Sequence, residues 1–165
     1  MEIRRLRSDE WRELRAFRLR ALLDAPDAFG STHEQEASDP DDEWRTWATQ
    51  GAEGGPGFTA IATQGTPWVG MAVGAPHLDH PGDAGLFAMW VDPVVRGRGI
   101  GLALVEAVLE WARSTGFPRI RLRVTQSNAA AVRLYVVSGF VETRERAPLR
   151  EGSDATTLTM MMELG

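Results

Sequence analysis

Val91-Asp92-Pro93-Val94-Val95-Arg96-Gly97-Arg98-Gly99-Ile100-Gly101 joins an apolar run ending at Val91 to an apolar-periodic run beginning at Ile100. Pro93 cannot donate to a central ladder, so the chain leaves a sheet there. The glycines that follow let the backbone come close to a ligand. The first amides of the next helix lack intrahelical partners, and the helix dipole adds positive potential. Arg96 and Arg98 strengthen the attraction for an anion, and a diphosphate is the natural guest. A plain strand-to-helix turn is the simplest competing reading. A dinucleotide fingerprint fits less well. It needs glycine at position 102, which is Leu, and an acidic residue about 20 positions on, where the chain has Arg119-Ile120-Arg121. A P-loop needs Gly-Lys-Ser/Thr, and none follows.

Upstream of the loop, Leu86–Val91 reads as a strand and residues 77–85 as a polar loop. Phe58–Thr63 and Trp68–Gly74 form a candidate hairpin. Residues 3–7 alternate as a first strand, and Ser8 resembles an N-cap. Trp11, Leu14, Phe17, Ala21 and Leu22 then predict a helix over 9–24, ended by Pro26. Residues 27–39 read as polar and irregular, and 40–50 as a helix with Trp44 and Trp47 on one face. Downstream, helix 99–115 stops at Gly116. A strand over 119–124, a helix over 128–138 and strands over 140–144 and 157–164 complete the chain. The strand–helix–strand unit around the loop implies parallel pairing, and the hairpins imply antiparallel pairing. The expected fold is α/β: one mixed sheet with helices on both faces. No repeat or linker is visible, so residues 1–165 are expected to form a single domain.

The composition narrows the function. Of 165 residues, 43% are hydrophobic and 25% charged, the balance of a globular domain. No apolar run approaches the roughly 20 residues of a membrane helix, and Met1-Glu2-Ile3-Arg4-Arg5 lacks the apolar core of a signal peptide. Neither membrane association nor secretion is expected, and a cytoplasmic setting is. The absence of cysteine excludes a disulfide scaffold, a Cys-based zinc site and a Cys nucleophile, and no metal is expected. The net charge of −5 argues against a nucleic-acid partner and suits an amine substrate. Arg119, Arg121 and Arg123 alternate with Ile120, Leu122 and Val124, which reads as the solvated face of a strand near a sheet edge.

Asn128-Ala129-Ala130-Ala131-Val132-Arg133-Leu134-Tyr135-Val136-Val137-Ser138-Gly139-Phe140 is a second constellation. Asn128 suits an N-cap, and Tyr135, the one tyrosine, lies two turns into the helix. By itself Tyr135 reads as a core-edge aromatic with a wet hydroxyl. Together the two blocks resemble the GCN5-related N-acetyltransferase (GNAT) family. The match lies in Val91 and Pro93; in Arg96, Gly99 and Gly101; and in Asn128, Ala131, Leu134, Tyr135, Gly139 and Phe140. Arg18-Leu19-Arg20-Ala21-Leu22 and Pro26-Asp27-Ala28-Phe29-Gly30-Ser31 extend the resemblance over nearly the whole chain.

The resemblance implies a mostly antiparallel central sheet with a parallel, splayed pair of strands after the glycine loop. It implies acetyl-CoA as co-substrate, with Arg96, Gly97, Arg98, Gly99, Ile100, Gly101 and Leu102 around the diphosphate. Met89, Trp90 and Val91 would pair with the pantetheine arm, and Asn128 would touch the cofactor further along. Tyr135 would protonate the departing thiolate after direct attack by an amine. Backbone amides near Val91 could steady the oxyanion. A homodimer, common in the family, is the assembly the resemblance suggests.

The general base has no obvious place. Leu86–Val91 holds no carboxylate, and Arg123 stands where ribosomal-protein-type relatives often carry Glu. The candidates are Glu34 and Glu36, with His77 or His80 behind them; a water chain could also take the proton. Phe29, Trp44, Trp47 and Trp90 are candidate acceptor-pocket aromatics, with core packing as the competing reading. The leading function is acetylation of a small-molecule amine. Protein or peptide N-acetylation and a non-catalytic acyl-CoA sensor are the alternatives.

Overall fold

A computed structural model describes residues 1–165. The strands are β1 (Glu2–Arg5), β2 (Phe58–Thr63), β3 (Trp68–Pro76), β4 (Ala84–Val91), β5 (Arg119–Thr125), β6 (Val141–Pro148) and β7 (Thr156–Glu163). The helices are α1 (Trp11–Asp24), α2 (His33–Ala37), α3 (Asp41–Gly51), α4 (Ile100–Thr115) and α5 (Ala129–Ser138). The strands form one sheet in the order β1-β2-β3-β4-β5-β7-β6, antiparallel throughout except between β4 and β5. The expected mixed sheet is therefore present.

The sheet separates two hydrophobic clusters, so helices cover both faces. On one side α4 packs Ile100, Leu104, Val105 and Val108 against Ala60, Ala62 and Ala72. On the other, Leu14, Phe17, Ala21 and Leu22 of α1 and Trp44 of α3 meet Ile61, Met71 and Trp90. Strand alternation explains the division: Ala60 and Ala62 point one way, and Ile61 between them points the other.

Several local expectations change. Residues Ser8–Glu10 form a 3-10 turn, and α1 proper starts at Trp11. Ser8 provides no side-chain cap; the Glu10 carboxylate instead accepts from the Arg7 amide at 2.9 Å and from Arg4 at 2.7 Å. The stretch read as irregular contains α2, started by a reciprocal Thr32–Gln35 capping box. Five residues are too few for a period to show. The β5 arginines do form the more exposed face of the strand, with Ile120, Leu122 and Val124 buried opposite, but they are not free in solvent. β5 lies inside the sheet between β4 and β7, and its arginines are engaged: Arg119 and Arg121 with Asp83, and Arg123 with Thr157.

Candidate active site

β4 and β5 run parallel but pair at only two positions, Ala84–Ile120 and Gly85–Arg121. Beyond Gly85 they diverge. The edge of β4 facing β5 from Leu86 to Val91 therefore has no strand partner, although its backbone groups still require hydrogen bonds. A cavity of about 460 Å³ fills the wedge between them. An extended ligand can complete the missing pairing there, as peptides add to exposed sheet edges.

The β4 backbone is also bent within the wedge. Opposite β3 the register slips, with Met71 facing Trp90 but Val73 facing Phe87. The extra residue falls around Ala88, which has φ of +54° and is the one non-glycine residue with positive φ. A left-handed alanine costs about 1–2 kcal/mol. The bulge interrupts the local ladder pairing with β3, and Ala88 lines the cavity. Nothing in Leu86-Phe87-Ala88-Met89 signals it, because alanine carries no mark of a left-handed conformation.

At the wide end of the wedge stands the glycine loop. Gly97 and Gly99 have φ of +80° and +82°, and a Cβ on either would point into open space. Their backbone thus faces open space rather than the core. Gly101 differs: a Cβ there would lie 3.2 Å from Met89 and 3.3 Å from Leu134, so its smallness serves packing. Met89–Val91, Arg96, Gly97 and Gly99–Leu102 line the cavity. Arg98 is exposed and does not.

Arg96 is already anchored. Its Nε donates to the Val91 carbonyl at 2.9 Å and its Nη2 to Asp24 Oδ2 at 3.0 Å. The same Asp24 oxygen accepts from Trp90 Nε1 at 3.0 Å. Arg20 reaches Asp92 at 2.5 Å, and Asp92 accepts from the Val94 amide at 3.0 Å. That amide, with the Arg20 guanidinium, outweighs burial and holds the Asp92 carboxyl below its usual range. The end of α1 thus braces the glycine loop, a role for Asp24 and Arg20 that helical spacing could not reveal.

α5 supplies the opposite wall. Asn128 caps it, its Oδ1 accepting from the Ala131 amide at 3.2 Å, and also lines the cavity. Tyr135 lines the cavity at 6% exposure, with Phe140 edge-on at 5.8 Å. Its hydroxyl bonds to no protein group. Burial pushes the phenol pKa well up, so the proton stays on oxygen.

The remaining wall comes from the turn after α1, through Ala25, Ala28 and Phe29. Thr125 Oγ1 donates to the Asp27 carbonyl at 2.5 Å. Arg150 donates to the Pro26 and Phe29 carbonyls at 3.1 and 2.9 Å. The turn is thereby tied to β5 and to the β6–β7 connection.

The candidate bases are not brought into this cavity. Glu34 is exposed on α2. Glu36 is buried, and Arg18 holds both its oxygens at 2.9 and 2.8 Å. His77 and His80 stack edge-on at 5.0 Å in the loop before β4. Of the candidate aromatics, Phe29 and Trp90 line the cavity, while Trp44 and Trp47 stack on each other outside it. No group of three or more His, Asp or Glu side chains is placed to hold a metal ion.

The model of the family described as "Acetyltransferase (GNAT) family" matches residues 4–140. A mycothiol acetyltransferase of Mycobacterium avium is 42% identical over 71 residues, 39% of this chain and 22% of the relative. N-acetyltransferase 8F1 of Rattus norvegicus is 34% identical over 89 residues, 52% of this chain and 40% of the relative. The chain thus spans about a fifth to two fifths of the length of these curated relatives. In fold it resembles a GNAT-family acetyltransferase from Streptococcus pneumoniae, with TM-score 0.81, 24% identity and 98% of both chains covered. It also resembles yncA from Salmonella typhimurium, solved with its cofactor acetyl-CoA, with TM-score 0.80, 19% identity, and 100% and 94% covered.

Proposed function

We propose a function from one premise: this chain belongs to the GNAT family of acetyltransferases. As a single domain of residues 1–165, it transfers an acetyl group from acetyl-CoA to the primary amine of a small molecule. The observation that carries this reading is the unpaired edge of β4, which opens between the glycine loop and Tyr135 within one cavity.

The Gly97–Leu102 backbone receives the diphosphate, with Arg96 adding charge. The free β4 edge from Met89 to Val91 takes the pantetheine arm as a strand. The bulge at Ala88 presents backbone polar groups where carbonyl charge develops. The amine nitrogen attacks the thioester carbonyl, the C–N bond forms and the C–S bond breaks. Tyr135 gives its proton to the departing sulfur. The nitrogen loses one proton, which returns to Tyr135 through solvent. Burial that raises the phenol pKa also raises the proton affinity of a thiolate in the same cavity, which keeps the transfer matched.

The cavity holds no carboxylate or imidazole, so a water chain is the route for the nitrogen's proton. The expected homodimer and cytoplasmic setting belong to the same proposal.

The test is CoA release from acetyl-CoA across a panel of primary amines and a panel of peptides. Release with small amines alone supports the reading. Release with peptides alone makes the chain a peptide acetyltransferase. Tight acetyl-CoA binding without release on either panel makes it a sensor.

A further inference from the structure

Resting on that acetyl-transfer reading, we propose that the acceptor amine carries a carboxylate, held by the free edge of the Arg123 guanidinium. Arg123 is fixed from one side only. Its Nε and Nη2 donate to Thr157 Oγ1 at 3.1 and 2.9 Å, and Nη2 also donates to the Pro148 carbonyl at 2.8 Å. Thr157 is itself buried, and its hydroxyl donates a hydrogen bond to the Ala147 carbonyl at 3.1 Å. Nη1 makes no hydrogen bond within the chain, and Arg123 lines the cavity. A guanidinium pinned through Nε and Nη2 loses little further freedom when its remaining nitrogen, Nη1, donates to an oxyanion.

Its position suits the acceptor rather than the cofactor. Arg123 and Thr125 project from the same face of β5, opposite Leu122 and Val124, which pack beside α4 and α5. Thr125 on that face bonds to the turn carrying Ala28 and Phe29. Arg123 therefore stands with that turn, across the wedge from the helix that bears Tyr135.

Charge selects the partner. Arg96 and Arg123 are the only charged residues lining the cavity. No acidic side chain is there to hold an ammonium group, so a purely cationic amine meets repulsion. An amine bearing a carboxylate meets Arg123 instead. Positive potential also favours the neutral form of the amine, which is the form that attacks. This supplies part of what a general base would.

The experiment compares L-amino acids with their α-amides as matched pairs, on wild type, Arg123→Gln and Arg123→Lys. Rates are corrected for the fraction of neutral amine, and melting checks that each variant is folded. In wild type the acids should exceed their amides in kcat/KM by about tenfold or more, the scale of a charged hydrogen-bond pair. Arg123→Gln should collapse that preference to about twofold or less through KM for the acids, with the amides losing far less than the acids and acetyl-CoA binding retained. Arg123→Lys should restore part of it. Equal use of acids and amides by wild type overturns the proposal, as does an equal loss of both in Arg123→Gln. Calorimetric binding of the same pairs to the CoA-loaded protein separates the two readings. Selective acid binding without turnover supports the Arg123 site and defeats acetyl transfer. Turnover without selectivity does the reverse, and absence of acid binding overturns the Arg123 site.

Discussion

Asp83 Oδ2 accepts from Arg121 Nε at 2.8 Å beside the last backbone pairing between β4 and β5. Asp83 is 4% exposed, and its other oxygen accepts from Arg119 at 3.1 Å. Burial alone would raise its pKa, but the two guanidinium groups outweigh burial and hold it below the usual range. The pair therefore clamps the two strands at the point where they begin to part, and the wedge opens from a fixed apex.

Replacing Asp83 by Asn should destabilise the fold by about 3 kcal/mol, because it leaves the partly buried Arg121 without its counter-charge, whereas Arg119 keeps Glu163. For a chain of this size that is a fall of roughly 9 °C in Tm. The carboxyl pKa is lowered by folding, so its contribution is present above the unfolded value and lost as pH falls through the folded one. Denaturation of both proteins from pH 7 down to pH 2 checks this. The gap between them should be widest at neutral pH and should narrow below about pH 4.

Tyr135→Phe removes one oxygen from a buried ring without emptying its space. It should lower kcat by about a hundredfold or more, with acetyl-CoA binding unchanged by calorimetry. Unaltered turnover with a good acceptor would remove Tyr135 from the acid role. Because burial raises the phenol pKa, the wild-type rate should climb with the neutral fraction of the amine and show no descending limb up to about pH 10.

Gly99→Val places a branched side chain at φ +82°, in the open space a ligand would enter. The backbone strain should cost about 1–2 kcal/mol. Acetyl-CoA binding should fall below detection in calorimetry even where the protein remains folded. Gly101→Ala tests the other kind of glycine. Its methyl presses on Met89 and Leu134, so it should change stability more than it changes the diphosphate contact.

Asp24→Ala removes the common acceptor of Trp90 and Arg96. The glycine loop loses its brace from α1, and acetyl-CoA affinity should drop about tenfold through loss of preorganisation. An unchanged dissociation constant would show that Arg96 is held well enough by the Val91 carbonyl alone.

Where the sequence was legible, the signal was local. The glycine loop reads from Pro93, which stops a strand, and from glycines that open a helix within a few residues. The α4 and α5 periodicities and the caps at Asn128 and Gly116 are likewise short-range, and Tyr135 stood out in a spaced block. The short helix α2 escaped because one turn has no period, and the partners of the β5 arginines, Asp83 and Thr157, escaped because they lie on distant segments.

By itself the sequence determined the order of every element but α2, the strand-to-helix glycine loop, and the two spaced blocks that the structure brings to one cavity. Only the tertiary structure decided where β4 and β5 part, that Ala88 bulges into the opening, that Glu36 is committed to Arg18, and that Arg123 keeps one edge free. The reason is physical. A cap or a turn is set by neighbours a few residues away, whereas the ends of a parallel pairing, the partner of a buried carboxylate and the free edge of a guanidinium depend on contacts between distant segments. The glycine loop is built by nearby residues, whereas the wall across the cavity is assembled from the turn after α1, β5 and the β6–β7 connection.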